Sequence, residues 1–546
     1  MASLHDGLDD IMRSRLRAEF ASQVATNQRM PFVIPYCLVG AYILPTLWLS
    51  FSQKHHPWLY NTRWLLAAFV ITFNIHSAAV TSSSSIAMSY ATGLLAGWGI
   101  IYNLNLLIWT HPQATAARIV RRTQIISNGN EKSIAQSTNL MTAEGKPDTV
   151  RRREGNGIRP DEDLGRVPQA DGSRSVEDSK YVWQPFPHDA TWGERLGWAA
   201  DLTTSFRGCG WNWAISSVPQ PKVPSHVQDV TPVDMSTWPV VSKTGYTRFT
   251  SRSGFLLQRL GSIAFMYLTI DFLAITMAAD PYFVVGPDHH PGTPSHLSWL
   301  PSLLVLWIRQ LMSLAAFIAA ISGMMTANAL LQFHFAPYLI PSRDELWHYP
   351  SVNGGFSNVL DRGLAGWWGG WWHQTFRAQF LAPATYLLRE GYFRKGEVVS
   401  SIVALCITFG QSGMLHAFGS WTSIPETRPW RAPAFFILQV LGIIIQQALG
   451  LFLNRHISTK TKESKIWQYF RRLGNFVFAL LWVQWTSIFF CDDIASTGLW
   501  LCDPIPFSPL RMLGFGRPGD RWWRWEREHF PGWYTGEHWW QSGISF

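Results

Sequence analysis

About eight separate windows of this chain contain almost nothing that favours water: 31–51, 64–81, 86–109, 255–279, 298–331, 400–418, 432–453 and 473–491. A bilayer core about 30 Å thick needs roughly 20 apolar residues as helix, since unpaired backbone groups cannot be solvated there. The expected fold is therefore all-α: a polytopic membrane protein with about eight transmembrane helices and the lipid bilayer as its first partner. Composition agrees. Only 15% of residues are Asp, Glu, Lys or Arg, against roughly 25% in soluble domains. The five Cys are scattered without a CxxC pair, which removes disulfide scaffolds and zinc ribbons.

The windows divide the chain. Residues 1–110 hold an N-terminal polar segment and three spans, and no removable signal peptide is expected. Residues 111–180 carry RIVRRTQ, GKPDTVRRREGNG and RPDEDLGR almost without aromatics, and read as a disordered polar linker in a long cytosolic loop. From Tyr181 the tryptophans return, so 181–254 reads as an ordered membrane-associated loop. Residues 255–492 form the membrane core with the candidate catalytic residues, and 493–546 an aromatic C-terminal tail. Residues 280–297 lack Lys and Arg, whereas the loops after the fifth and seventh spans are rich in both. Those two loops are expected in the cytosol, and counting outward places both termini in the lumen. The net charge of +9 is explained by these flanks and implies no nucleic-acid partner.

Ionisable residues inside a span are costly and mark functional sites by default. The sixth span reads SIVALCITFGQSGMLHAFGSW, with His416 four residues after Ser412, on one helix face. Gly410, Gly413 and Gly419 clear space along it. A second cluster, LAGWWGGWWHQTFRAQFLAPATYLL, lies in the cytosolic loop. At helical spacing His373 and Arg377 project together. An interfacial anchor would account for its tryptophans but not for His373. Asn328, Gln332, His334 and Asp271 are weaker candidates for lining an acceptor cavity, with packing the more natural role for each. The pair His289 and His290 lacks a third ligand, so no metal site is expected.

Trp368, Gly369, Trp372, His373, Gln374, Phe376 and Arg377, followed by Ser412, Gly413 and His416 in a later apolar helix, resemble the two hallmarks of the wax synthase-like branch of the membrane-bound O-acyltransferases. Arg207 to Trp213, RGCGWNW, is similar to a stretch of its fungal members. Basic residues that often precede the Trp-His pair are replaced here by Gly370 and Trp371. The resemblance implies acyl transfer from acyl-CoA, with acetyl-CoA as co-substrate and no permanently bound cofactor, to a hydrophobic alcohol such as a terpenoid or meroterpenoid of fungal secondary metabolism. The membrane implied is the endoplasmic reticulum. His416 and His373 become the catalytic pair: a neutral His416 would accept the alcohol proton, with Ser412 orienting its ring, and His373 would act on the thioester oxygen or position CoA. Trp372, Gln374, Arg377, Ser412 and Asn328 become substrate- or CoA-binding candidates, and Arg343 with the basic flanks at 389–395 candidate phosphate contacts. A wax or sterol ester synthase with a long acyl donor is the alternative within the family. A transporter is the alternative outside it, but the chain has no matching halves.

Overall fold

The computed structural model describes residues 7–122, 180–290 and 292–546. A polar helix, α1 (Leu8–Ala25), opens the chain. The apolar α2 (Tyr36–Ser50) follows; it is shorter than a full span and contains 3-10 and π turns. Next come α3 (Pro57–Val80) and α4 (Ile86–Trp109). The short α5 (Trp192–Thr203) precedes α6 (Arg252–Ala278) and α7 (Ser302–Leu339). Beyond α8 (Ser357–Gly366) and α9 (Arg377–Arg389) lie α10 (Val398–Thr422), α11 (Arg431–His456) and α12 (Lys465–Ser496). Among the described residues, seven helices are long and apolar enough to cross a membrane. The protein is a multi-pass membrane protein.

Backbone pairing sorts the helix ends onto two faces. Met30–Pro31 pairs with Thr81–Ser82, and Val33–Ile34 with Gly543–Ser545. The Ser82 hydroxyl also donates to the Thr422 carbonyl at 2.6 Å. The segment before α2, the start of α4, the end of α10 and the C-terminus therefore share one face. Past the other end of α2, the Gln53 amide donates to Gln113, beyond the end of α4, at 3.0 Å. So α2, though shorter than a full span, runs from one set of helix ends to the other beside the seven long helices. Both chain ends then lie on the same face. Arginines there are drawn into ion pairs: Arg13 with Asp9 at 2.8 Å, Arg517 with Asp9 at 2.7 Å and Arg524 with Asp503 at 2.9 Å.

The opposite face carries a folded layer. Arg118–Arg121 pairs antiparallel with Tyr181–Gln184, which pairs with Thr231–Pro232. The linker expected over 111–180 is corrected at its start: 111–122 is ordered, because Ile119 and Val120 bury in this sheet. Residues 123–179 of that expectation lie outside the described ones. Trp183, Trp198 and Trp211 are buried in the layer, with Trp198 and Trp211 edge to face at 5.1 Å.

One buried charge cluster ties this layer to the end of α7. The Asp201 carboxylate accepts from Arg343 Nε at 2.6 Å, Ser342 Oγ at 2.9 Å and Arg118 Nη1 at 3.0 Å. Burial alone would raise this carboxyl, but Arg343 and Arg118 outweigh it and hold it well below the usual carboxylate range. Arg343 is thereby consumed, which removes it as a contact for CoA phosphates. Asp201→Ala would strand two buried guanidinium groups, and breaking a buried pair from one side costs about 3–5 kcal/mol. The variant should melt well below the parent protein in detergent, as read by size-exclusion after heating; an unchanged melting point would refute the clamp.

Candidate active site

His373 owes its position to a helix that is made to stop. In α8, Gly363 takes φ 57°, and Gln446 Oε1 accepts the next amide, Leu364, at 2.8 Å. The chain then widens into a π turn over Trp367–Trp371 and goes extended at Trp372. A helix end leaves its last carbonyls without partners, and here side chains supply them. Gln374 Nε2 donates to the Trp368 and Trp372 carbonyls, both at 2.7 Å. Arg377 Nη1 donates to the Gly369 carbonyl at 2.8 Å and to Gln374 Oε1 at 2.7 Å. The Gly354 amide donates to Trp371 O at 3.0 Å, and Tyr246 Oη to Trp372 O at 3.3 Å.

This geometry changes the expected roles of three residues. His373 and Arg377 do not share a helix face, because the helix is broken between Trp371 and Arg377. Gln374 and Arg377 spend their polar atoms on the turn itself, as its staples. Trp372 contributes its carbonyl to the same network, while its ring meets the His373 ring at 4.8 Å. His373 is the member left over: its Nδ1 is buried and has no hydrogen-bond partner among the described residues. Burial first, then the nearby His416 imidazole and the Arg207 guanidinium, push its pKa down to about 3.

His416 lies on α10, where two glycines allow close neighbours. A Cβ at Gly413 would stand 2.6 Å from Pro433 Cα of α11, and one at Gly419 2.7 Å from the Tyr90 ring of α4. The imidazole stacks on Phe436 at 5.4 Å and meets Phe490 edge-on at 5.0 Å. Its Nδ1 lies 3.0 Å from Tyr90 Oη. The Ser412 side chain, expected to orient this ring, makes no hydrogen bond among the described residues; the group beside Nδ1 is the Tyr90 phenol.

Aromatic rings link the two histidine segments: Trp368, in the turn before His373, packs at 6.0 Å on Phe436, the ring that stacks on His416. Gln411 of α10 donates to the Phe380 carbonyl of α9 at 2.8 Å, which locks the two motif segments together. Both imidazoles keep some accessible surface while lying deep among protein atoms. Arg207 donates to the Ser351 carbonyl at 2.8 Å and the Pro350 carbonyl at 3.2 Å, so RGCGWNW grips the segment leading into α8.

Other expected residues fall elsewhere. Asn328 stands on the exposed side of α7, turned away from the packed interior, so it is corrected as a lining residue. Asp271 accepts from Ser508 Oγ at 2.5 Å and the Leu510 amide at 2.9 Å, anchoring the C-terminal tail. His334 is exposed and bonds its own helix. Arg389 pairs with Glu390 at 3.1 Å. Among the described residues, no three His, Cys, Asp or Glu side chains cluster as metal ligands. Tyr90, Tyr246 and Arg207 are the site neighbours that sequence reasoning did not single out as such. Arg207 alone carried a signal, through its motif.

The profile of the "Membrane bound O-acyl transferase family" matches residues 349–438, the stretch that contains both histidines and the stapled turn. Relatives include "Acetyltransferase ple2" of Rhodocybe pseudopiperita, 26% identical over 302 residues, which is 55% of this chain and 66% of that protein. "O-Mevalon transferase yanI" of Aspergillus niger is 23% identical, covering 54% of this chain and 61% of its own length. "Acetyltransferase aurG" of Calcarisporium arbuscula is 22% identical, covering 50% and 63%. The chain thus spans at most about two-thirds of the length of these relatives. No solved structure matches it. The matched segment supplies the Trp-His turn and the glycine-thinned helix, and over it the chain is similar to the membrane-bound O-acyltransferase family.

Proposed function

We propose that the protein is an O-acyltransferase that moves an acyl group from acyl-CoA to the hydroxyl of a hydrophobic alcohol. What supports this reading is that His373 and His416, from separate segments, are linked through the packed rings of Trp368 and Phe436. His416 Nε2 takes the proton of the acceptor hydroxyl as its oxygen attacks the thioester carbonyl. The tetrahedral oxyanion receives a hydrogen bond from His373, whose buried Nδ1 has no other partner. As the carbonyl re-forms, the C–S bond breaks, and the departing thiolate takes the proton from His416. General-base assistance is worth about 10²–10⁴-fold, and one oxyanion donor about 2.7–4 kcal/mol. Burial keeps His373 neutral, with one ring N–H to donate.

The donor would approach from the face that carries the folded layer, read as cytosolic. Around the Trp-His turn, Arg207 donates to the Ser351 and Pro350 carbonyls and Arg362 to Asn358 Oδ1, uncharged partners that leave both positive charges in place. They supply near the turn the positive charge that Gly370 and Trp371 do not. Acetyl as the acyl group draws on the relatives named acetyltransferases; a secondary metabolite such as a terpenoid as acceptor draws on the motif resemblance alone, and the endoplasmic reticulum is the proposed membrane. Microsomes containing the protein should move label from acetyl-CoA to a lipid alcohol, and not do so when the protein is absent. Label transfer only from long-chain acyl-CoA would make it an ester synthase instead. No transfer from any acyl-CoA by folded, membrane-integrated protein would overturn the reading.

A further inference from the structure

Tyr90 lies on α4, far outside residues 349–438, yet its phenol is the sole hydrogen-bonding side chain on the His416 ring among the described residues. Its oxygen has two neighbours on His416: the ring Nδ1 at 3.0 Å and the backbone carbonyl at 3.5 Å. A carbonyl can only accept a hydrogen bond, whereas Nδ1 can accept or donate. If the phenol proton goes to the carbonyl, Oη has only lone pairs to offer Nδ1, which must then carry the imidazole proton. We propose that Tyr90 is a positioning residue that holds His416 in the tautomer protonated at Nδ1, leaving the lone pair on Nε2 for the acceptor hydroxyl. The opposite tautomer would present an N–H to the alcohol and could not take its proton.

The surroundings fix this arrangement. Phe436 and Phe490 confine the imidazole from its face and its edge. Tyr90 is 5% exposed, and its ring occupies the space that Gly419 leaves on α10. One turn further on, Thr422 Oγ1 donates to the Ser89 carbonyl at 2.6 Å and accepts from the Gly93 amide at 3.0 Å, pinning α4 against α10 on both sides of Tyr90. The phenol therefore cannot move without parting two helices.

This inference rests on the acyltransferase reading, and its test separates the two. Tyr90→Phe keeps the ring and removes the oxygen. In the microsomal assay kcat should fall at least tenfold, with the KM for acyl-CoA and for the alcohol within twofold of the parent. A purely packing role would leave kcat intact, and a substrate-lining role would raise a KM; either result overturns the proposal. Gly419→Ala, which keeps the phenol but drives a methyl into it, should reproduce the same split and decides the matter if Tyr90→Phe does not accumulate. His416→Ala is run in parallel. Retained turnover there sinks His416 as the base and this proposal with it, an inactive His416→Ala beside a normal Tyr90→Phe sinks only the role of Tyr90, and absence of transfer by the parent protein sinks the acyltransferase reading itself.

Discussion

Replacing His416 with alanine should abolish acyl transfer, lowering kcat by about 10²–10⁴-fold, the range expected when a general base is lost. The residue sits where a helix-packing histidine could also sit, wedged between Phe436 and Phe490, so loss of activity alone would not be decisive. His416→Gln separates the cases. A carboxamide fills much of the same volume and can still hydrogen-bond Tyr90, but it cannot accept a proton near neutral pH. Both variants should therefore be inactive, while the glutamine form keeps the parent's expression and elution profile. If His416→Gln turns over within a few-fold of the parent, the ring is a spacer and the mechanism fails.

The parts of this molecule that were legible from its residues are those imposed by a single local rule. Apolar windows became helices because lipid cannot hydrogen-bond a backbone, and the two histidine motifs stood out because each is contiguous. What stayed hidden depends on partners far along the chain. Tyr90 meets His416 across 326 positions, and nothing in SIAMSYATG marks that tyrosine. Gln374 and Arg377 looked like ligands for a donor because a helical period was assumed through Trp372. The π turn interrupts that period, and the freed carbonyls claim both side chains. Arg343 looked like a free cation because Asp201, 142 positions away, is not visible from its neighbourhood. The stretch at Arg118–Arg121 read as polar linker because its partner strand at Tyr181–Gln184 lies beyond a long charged insertion. Asn328 shows the same limit: periodicity says a helix has faces, but only its packed neighbours decide which of them is covered.

His373→Ala is expected to cost about 10²–10³-fold in kcat, the loss seen when one oxyanion donor is removed, with a smaller change in KM for the alcohol. The pH behaviour gives this prediction a second, independent readout. Burial, with His416 and Arg207 nearby, pushes the His373 pKa from 6.5 down to about 3, so its ring stays neutral throughout pH 5–8 and contributes no limb to the rate profile there. The same shift works against the fold in acid. A group that binds its proton less readily when folded contributes no penalty above its unfolded pKa, and an increasing one as the pH falls from about 6.5 towards 3. At pH 5 the penalty is on the order of 1–2 kcal/mol. His373→Ala removes it, so the variant should lose less thermal stability than the parent between pH 7 and pH 5 while being far less active at both. A variant with parent-like kcat would leave His373 an interfacial anchor. One that is inactive but equally acid-sensitive would mean that the ring is solvated in the resting protein, and that its Nδ1 is not held in reserve for the oxyanion.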